Sequence, residues 1–308
     1  MTVEIAPAPT VPAFRPFAVR VARTRRIGRS FLRVTFTGTD LDEFASQGAD
    51  QRIKVLVPLA SSGIEHCPLG DDWYAQWRAL PEARRNPMRS YTVRAARPLE
   101  REVDVDFVLH GPTGPASAWA ERARPGDGVV LIGPNARFPG VPGGVEWRPP
   151  AGARTLLLAG DETAVPALSA IAEALPSGTG ARVLLEVPTE DDVLDLDVPP
   201  DVRLTWLPRR CGSSAHPLGV LLRAAVCAAA DEIGGGPTGD DGGDVDPDEL
   251  VWEVPETAGT AGVPAYAWLA GEAGVVTGLR RYLLREAGFD RRSVAFMGYW
   301  RQGREALS

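Results

Sequence analysis

Residues 145–175, VEWRPPAGARTLLLAGDETAVPALSAIAEAL, decide the fold. Their Pro/Gly-rich opening, Val145–Gly152, reads as a linker. The run Arg154–Ala159 (RTLLLA) that follows is continuously apolar, as a strand buried on both faces requires. Then Thr163–Leu175 carries Leu168, Ile171, Ala172 and Leu175 at helical spacing, and Pro166 is tolerable because it falls in the first turn. A buried strand leading through a short turn into a helix is the repeating unit of a doubly wound parallel sheet.

Downstream the unit recurs. ARVLLEVP, VRLTWLP, AYAWLAG and SVAFMGYW read as strands, and PLGVLLRAAVCAAA and residues 272–287 as helices. In the last helix Val276, Leu279 and Leu283 make the apolar stripe, so Arg280, Arg281 and Arg285 are expected to face outward. Upstream the texture differs. PFAVRVAR, SFLRVTFTG, RIKVLVP, MRSYTVRAA, EVDVDFVLHG and DGVVLIGP are short strand-like runs between turn signals. One short helix is expected at Ala116–Arg124, and another in WYAQWRALPEARR within an insertion at residues 61–87. This half reads as an antiparallel barrel or sandwich. The predicted order is a β-barrel domain over residues 1–148 and an α/β nucleotide domain over residues 149–308. By analogy of fold, that order points to a flavin reductase.

Charge needs dissecting before it is used. The 308 residues carry a net −7, yet ten acids and no base lie between Asp231 and Glu256, and without those ten the charge becomes +3. The segment at about 231–262 is rich in Gly and Asp and reads as an acidic flexible insertion. Lys54 is the lone lysine, so the many arginines reflect coding bias and do not argue for nucleic-acid binding. No run of about 18 apolar residues is present to span a bilayer, so stable membrane insertion is not expected. The start of the chain lacks a secretory pattern, and three scattered cysteines make no disulfide framework, so a cytoplasmic protein is expected. Neither His66 beside Cys67 nor Cys211 near His216 has a second ligand pair at zinc spacing, and no cysteine cluster could hold an iron–sulfur centre.

Four segments can carry chemistry. In Arg89-Ser90-Tyr91-Thr92-Val93-Arg94 an arginine can neutralise a pyrophosphate, a tyrosine offers a ring face and a threonine can hydrogen-bond a flavin nitrogen; an ordinary amphipathic strand explains it equally well. Residues 110–120, HGPTGPASAWA, lead small residues into a helix whose first amides can face a phosphate, though a simple strand–turn–helix corner has the same look. Residues 159–167, AGDETAVPA, lie at the carboxyl end of the first parallel strand, where open α/β sheets bind ligands, and lack both GxGxxG and Walker A spacing. Last, Gly298-Tyr299-Trp300-Arg301-Gln302-Gly303 places two aromatics and an arginine after the final strand, either as a cover for a flavin or as a packed terminal pair.

Taken in order, these segments resemble the siderophore-interacting protein family, the FAD-dependent ferric-siderophore reductases related to ferredoxin reductases. Arg52-Ile53-Lys54-Val55, Arg124-Pro125-Gly126-Asp127 before Gly133-Pro134, and Ala270-Gly271-Glu272-Ala273 support the match, which runs from about Phe17 to Gly303. Two features depart from the pattern: residues 133–137, GPNAR, are looser than the usual Gly-Pro-Arg-Gly, and the acidic insertion is extra.

The resemblance implies an antiparallel FAD-binding β-barrel followed by a parallel-sheet NAD(P)H-binding domain. It implies that Arg89, Ser90, Tyr91 and Thr92 hold FAD, with Tyr91 and Thr92 near the isoalloxazine. His110, Gly111, Gly114, Pro115, Ala116 and Trp119 would surround the rest of the cofactor. Asp161 and Thr163 would lie close to flavin and nicotinamide, with Trp300 also on the cofactor. Lys54 and Arg301 match two positions of a basic triad for an anionic ferric complex, and Arg137 is a looser third. The implied reaction is reduction of a ferric siderophore by NADPH or NADH, with ferredoxin as an alternative donor, in a monomer. A flavin reductase serving another acceptor protein and a non-catalytic siderophore carrier are the competing readings. Arg209-Arg210, after a parallel strand, could meet a 2′-phosphate or be a solvated pair, which leaves NADH and NADPH both open.

Overall fold

The computed structural model describes residues 11–111, 114–233, 252–255 and 265–303. The first half runs β1 (Phe14–Arg26), β2 (Phe31–Thr37), β3 (Arg52–Leu56), α1 (Trp73–Ala79), β4 (Met88–Arg97), β5 (Glu102–Val108), α2 (Pro115–Ala120) and β6 (Gly128–Pro134). The six strands close into an antiparallel barrel of order β1-β2-β5-β4-β3-β6. Alternation drives the closure: Val34, Phe36, Ile53, Val55, Val103, Val105 and Phe107 turn inward and are buried, and Phe17 packs on Phe44 at 5.3 Å between ring centroids. The expected helix at Ala116–Arg124 is shorter than its apolar spacing suggests, ending at Ala120 before Arg124-Pro125-Gly126-Asp127 turns the chain into β6.

The second half runs β7 (Thr155–Gly160), α3 (Val165–Glu173), β8 (Gly180–Thr189), β9 (Val202–Cys211), β10 (Ser214–Ala215), α4 (Val220–Ile233), β11 (Trp252–Glu253), β12 (Ala265–Glu272), α5 (Ala273–Arg285) and β13 (Val294–Trp300). Its sheet has the order β10-β9-β8-β7-β12-β13-β11, parallel from β9 to β13 and closed off at each edge by a two-residue antiparallel strand. Chain order reverses between β7 and β12, which makes their carboxyl ends the topological switch point. One apolar layer packs under α3 and the other under α4 and α5.

Barrel and sheet meet along several contacts. Phe31 of the barrel is buried in the layer that packs under α3. Arg94 Nη2 on β4 donates to both carboxylate oxygens of Glu173 on α3 at 2.7 Å. Ser30 N donates to Asp192 Oδ1 at 2.5 Å. Asp50, fully buried in the barrel, accepts from the amides of Glu146 and Trp147 at 3.0–3.1 Å and so fastens the connecting segment.

Two sequence expectations change here. Arg280 does not face outward: it is 5% exposed, its guanidinium lies 4.6 Å from the centroid of Phe296 and it pairs with Glu253. The acidic insertion, expected over about 231–262, starts later than read, because α4 runs to Ile233. Trp252-Glu253 inside it forms β11 against Phe296-Met297 and leads into Val254-Pro255; residues 234–251 and 256–262 lie outside the described residues.

Candidate functional site

β3 and β4 build the basic side of the site. Their register sets Arg52 opposite Thr92 and Lys54 opposite Ser90, while Ile53 and Val55 point into the barrel. Lys54 Nζ donates to Ser90 Oγ at 2.7 Å. Partial burial, and then the neighbouring Arg52 charge, hold the Lys54 ammonium below the ordinary lysine range. Arg52 pairs with Glu146 and lies 4.1 Å from the ring centroid of Trp252, which stacks on Tyr299 at 6.0 Å. Trp252 gave no signal in the sequence because it sits among acids in the insertion.

On β4 itself, Tyr91 leans on Phe107 at 4.4 Å, and burial pushes its phenol far above the ordinary range. Arg89 is half-buried and spends one N–H on the Met88 carbonyl at 2.9 Å. After β5 the chain turns through His110 and Gly111. Ser117 Oγ accepts from the His110 amide at 3.2 Å and donates to the Gly111 carbonyl at 2.9 Å, tying α2 back onto this turn. Gly111 has φ +83, and among the described residues beyond its chain neighbours no heavy atom lies within 4 Å of where its β-carbon would be. At Gly114 the nearest atom is His110 Cε1 at 3.5 Å. Pro115 opens α2, and Ala116 and Trp119 turn inward, Trp119 stacking on Phe36 at 6.2 Å and 11°. Those two therefore pack the start of α2 onto the barrel interior.

Across from the barrel, four buried carboxylates line the carboxyl ends of β7, β8 and β12: Asp161, Glu162, Glu186 and Glu272. Asp161 is 2% exposed. Its Oδ1 accepts from the Thr163 amide at 2.9 Å and hydroxyl at 2.5 Å, and its Oδ2 from the Glu272 amide at 2.7 Å and the Trp300 indole at 2.8 Å. Burial, then the Glu162 charge, push the Asp161 carboxyl up to about 6. Glu162 takes a bidentate pair from Arg209 at 2.7 Å. Glu186 accepts from the Gly219 and Leu222 amides at 2.7 and 2.9 Å and from Arg209 at 3.3 Å.

Arg209 is thus no solvated cation. Arg137 follows β6, the neighbour of β3, and is held by Glu43 through Nε at 2.9 Å. Arg301 follows Trp300 directly and is half-buried.

The siderophore-interacting FAD-binding domain matches residues 20–138, and the siderophore-interacting protein domain matches residues 153–303. Ferric vibriobactin reductase ViuB of Vibrio cholerae is 31% identical over 289 residues, which is 94% of this chain and 90% of that protein. This chain belongs to the siderophore-interacting protein family. A siderophore utilization protein from T. fusca superposes with a TM-score of 0.69 at 26% identity, covering 96% of each chain. The ferredoxin reductase of carbazole 1,9a-dioxygenase, at 17% identity and TM-score 0.60 over 95% of this chain and 71% of that one, shares the fold. The barrel of this siderophore-interacting protein is accordingly its FAD-binding domain. An FAD fits its residues: among the described residues Arg89 spends only one N–H, on the Met88 carbonyl, which leaves others for a pyrophosphate, Ser90 is exposed, and Gly111 at φ +83 lets the backbone come close to a ligand.

Proposed function

We propose that this protein reduces ferric siderophores to the ferrous state with NAD(P)H as donor, releasing iron in the cytoplasm. The observation that carries the reading is the Lys54–Ser90 hydrogen bond, which sets an exposed cation directly across from the strand proposed to hold FAD. Arg89, Ser90, Tyr91 and Thr92 would hold the flavin end of the cofactor, and the Gly111–Gly114 turn its pyrophosphate side. Bound there, FAD would accept the electron pair of a nicotinamide and release electrons singly, as ferric iron requires.

The chain's own side chains supply binding and orientation. Lys54, with Arg301 and Arg137, would draw an anionic ferric chelate to the barrel rim. Hard oxygen donors hold ferrous iron less tightly than ferric, so a single electron loosens the complex. No side chain has to act as a nucleophile. The test is anaerobic turnover of FAD-loaded protein with a ferric siderophore, the product trapped by a ferrous-specific dye. Rapid bleaching of the flavin by nicotinamide with no ferrous product from any ferric chelate would instead favour a flavin reductase for another acceptor.

A further inference from the structure

The carboxyl ends of the parallel strands are where a dinucleotide reaches an open α/β sheet, usually through amides at helix N-termini. In this chain several of those groups are already engaged. The Thr163 amide is bonded to Asp161, the Val165 amide to the Glu162 carbonyl, and Pro166 has no N–H. At α4 the Gly219 and Leu222 amides are bonded to Glu186, and at α5 the Val275 amide is bonded to Glu272 at 2.9 Å.

Among the described residues, the cations at this edge are Arg209 and Arg210 on β9, Arg223 in the first turn of α4 and Arg301 after β13. Arg209 is shared between Glu162 and Glu186. Arg210 is one residue on, where alternation along β9 turns it to the opposite face of the sheet, in register with Thr189 and next to Glu190. A phosphate approaching the ends of β7 and β8 therefore meets Glu162 and Glu186, with Arg209 already shared between them.

We propose that this edge selects NADH over NADPH, with Glu162 and Glu186 determining the choice by neutralising Arg209. The inference rests on the reading of a nicotinamide as electron donor. NADH and NADPH share the pyrophosphate, so its repulsion is common to both. They differ in a 2′-phosphate carrying about −1.5 to −2 charges near pH 7, and that difference is what the carboxylates read.

The experiment uses FAD-loaded protein. Anaerobic stopped-flow gives the ratio of flavin-reduction rate to dissociation constant for each nicotinamide. Calorimetry compares 5′-AMP with 2′,5′-ADP, a readout independent of turnover. The expected results are an advantage of about tenfold or more for NADH, and 2′,5′-ADP binding more weakly than 5′-AMP by a similar factor. Glu162→Gln, which releases Arg209 from its bidentate partner, is expected to bring both ratios at least about threefold toward the phosphorylated ligand. Arg210→Ala is expected to leave both ratios unchanged.

NADPH used as well as NADH, 2′,5′-ADP binding as tightly as 5′-AMP, or a loss of phosphate-dependent binding in Arg210→Ala each overturns the inference while leaving the donor reading intact. Failure of both nicotinamides to bleach the flavin overturns the donor reading, and the inference with it.

Discussion

The Trp300 indole N–H donates to Asp161 Oδ2 at 2.8 Å, tying the end of β13 to the end of β7 across the intervening strand β12. The same oxygen accepts from the Glu272 amide at 2.7 Å, so one carboxylate holds together the carboxyl ends of three neighbouring strands. Arg301 follows immediately, so the position of its backbone depends on a buried acid. Asp161 was expected from the family resemblance beside flavin and nicotinamide. Its hydrogen bonds give it the geometry of a fastening for Trp300.

That fastening has a pH signature. Asp161 rises from an ordinary value near 3.8 to about 6, because burial penalises its charge and Glu162 adds to the penalty. The folded protein thus retains a proton that the unfolded chain releases between about pH 4 and pH 6. Stability from this group is fully present below the unfolded value and is lost as pH rises through the folded one, on the order of 2–3 kcal/mol in total. In Asp161→Asn that loss is absent. Denaturant titrations from pH 4 to pH 8 are expected to show the variant gaining relative to the parent up to about pH 6.5 and holding constant above it. Parallel curves across the whole range would assign the slope to other groups.

Gly271 gives an independent handle on the same knot. It has φ +144, and a β-carbon there would lie 2.6 Å from Asp161 Oδ2. Gly271→Ala combines backbone strain with a clash against a carboxylate that has no room to retreat, and should cost about 2–4 kcal/mol. Gly274→Ala is the control, since its β-carbon would meet only the Glu272 carboxylate, at 3.1 Å. Thermal midpoints of the two variants side by side check the difference; equal midpoints would contradict it.

Glu186 shows why part of this site could not be read from sequence. RTLLLA and the alternating strands announce the two halves, because burial on two faces or one leaves a local pattern. The chain positions of β3, β4 and the turn after β5 were legible for the same reason. Nothing local marks Glu186 as the group that satisfies the start of α4, or Arg209 as its partner, since those contacts cross from β8 and β9 to other elements. Arg280 misled the helical-stripe argument because the ring and the acid that bury it arrive from β13 and β11. Removing the Glu186 carboxylate strands two amides and leaves Arg209 with Glu162 alone. Glu186→Ala is therefore expected to cost about 3–5 kcal/mol, and Glu186→Gln distinctly less because it still accepts one bond. Urea denaturation monitored by far-UV circular dichroism measures both, and a near-neutral Glu186→Ala would refute the role.

Lys54 separates substrate attraction from cofactor retention. It lies on β3 with its ammonium on Ser90 Oγ, exposed to solvent, and it contributes no packing to the barrel interior. Lys54→Ala should leave FAD content unchanged. It should raise KM for anionic ferric chelates about five- to tenfold, with a smaller change in kcat, because a rim charge acts on encounter more than on the bound state. The parent KM should rise with added salt, and the variant's should rise less, since the screened charge is gone. Ser90→Ala, which frees Lys54 without removing it, should keep the parent's salt dependence. Loss of FAD from Lys54→Ala would instead make the lysine a structural support of β4. An unchanged KM with an unchanged salt response would place the chelate elsewhere on the barrel rim.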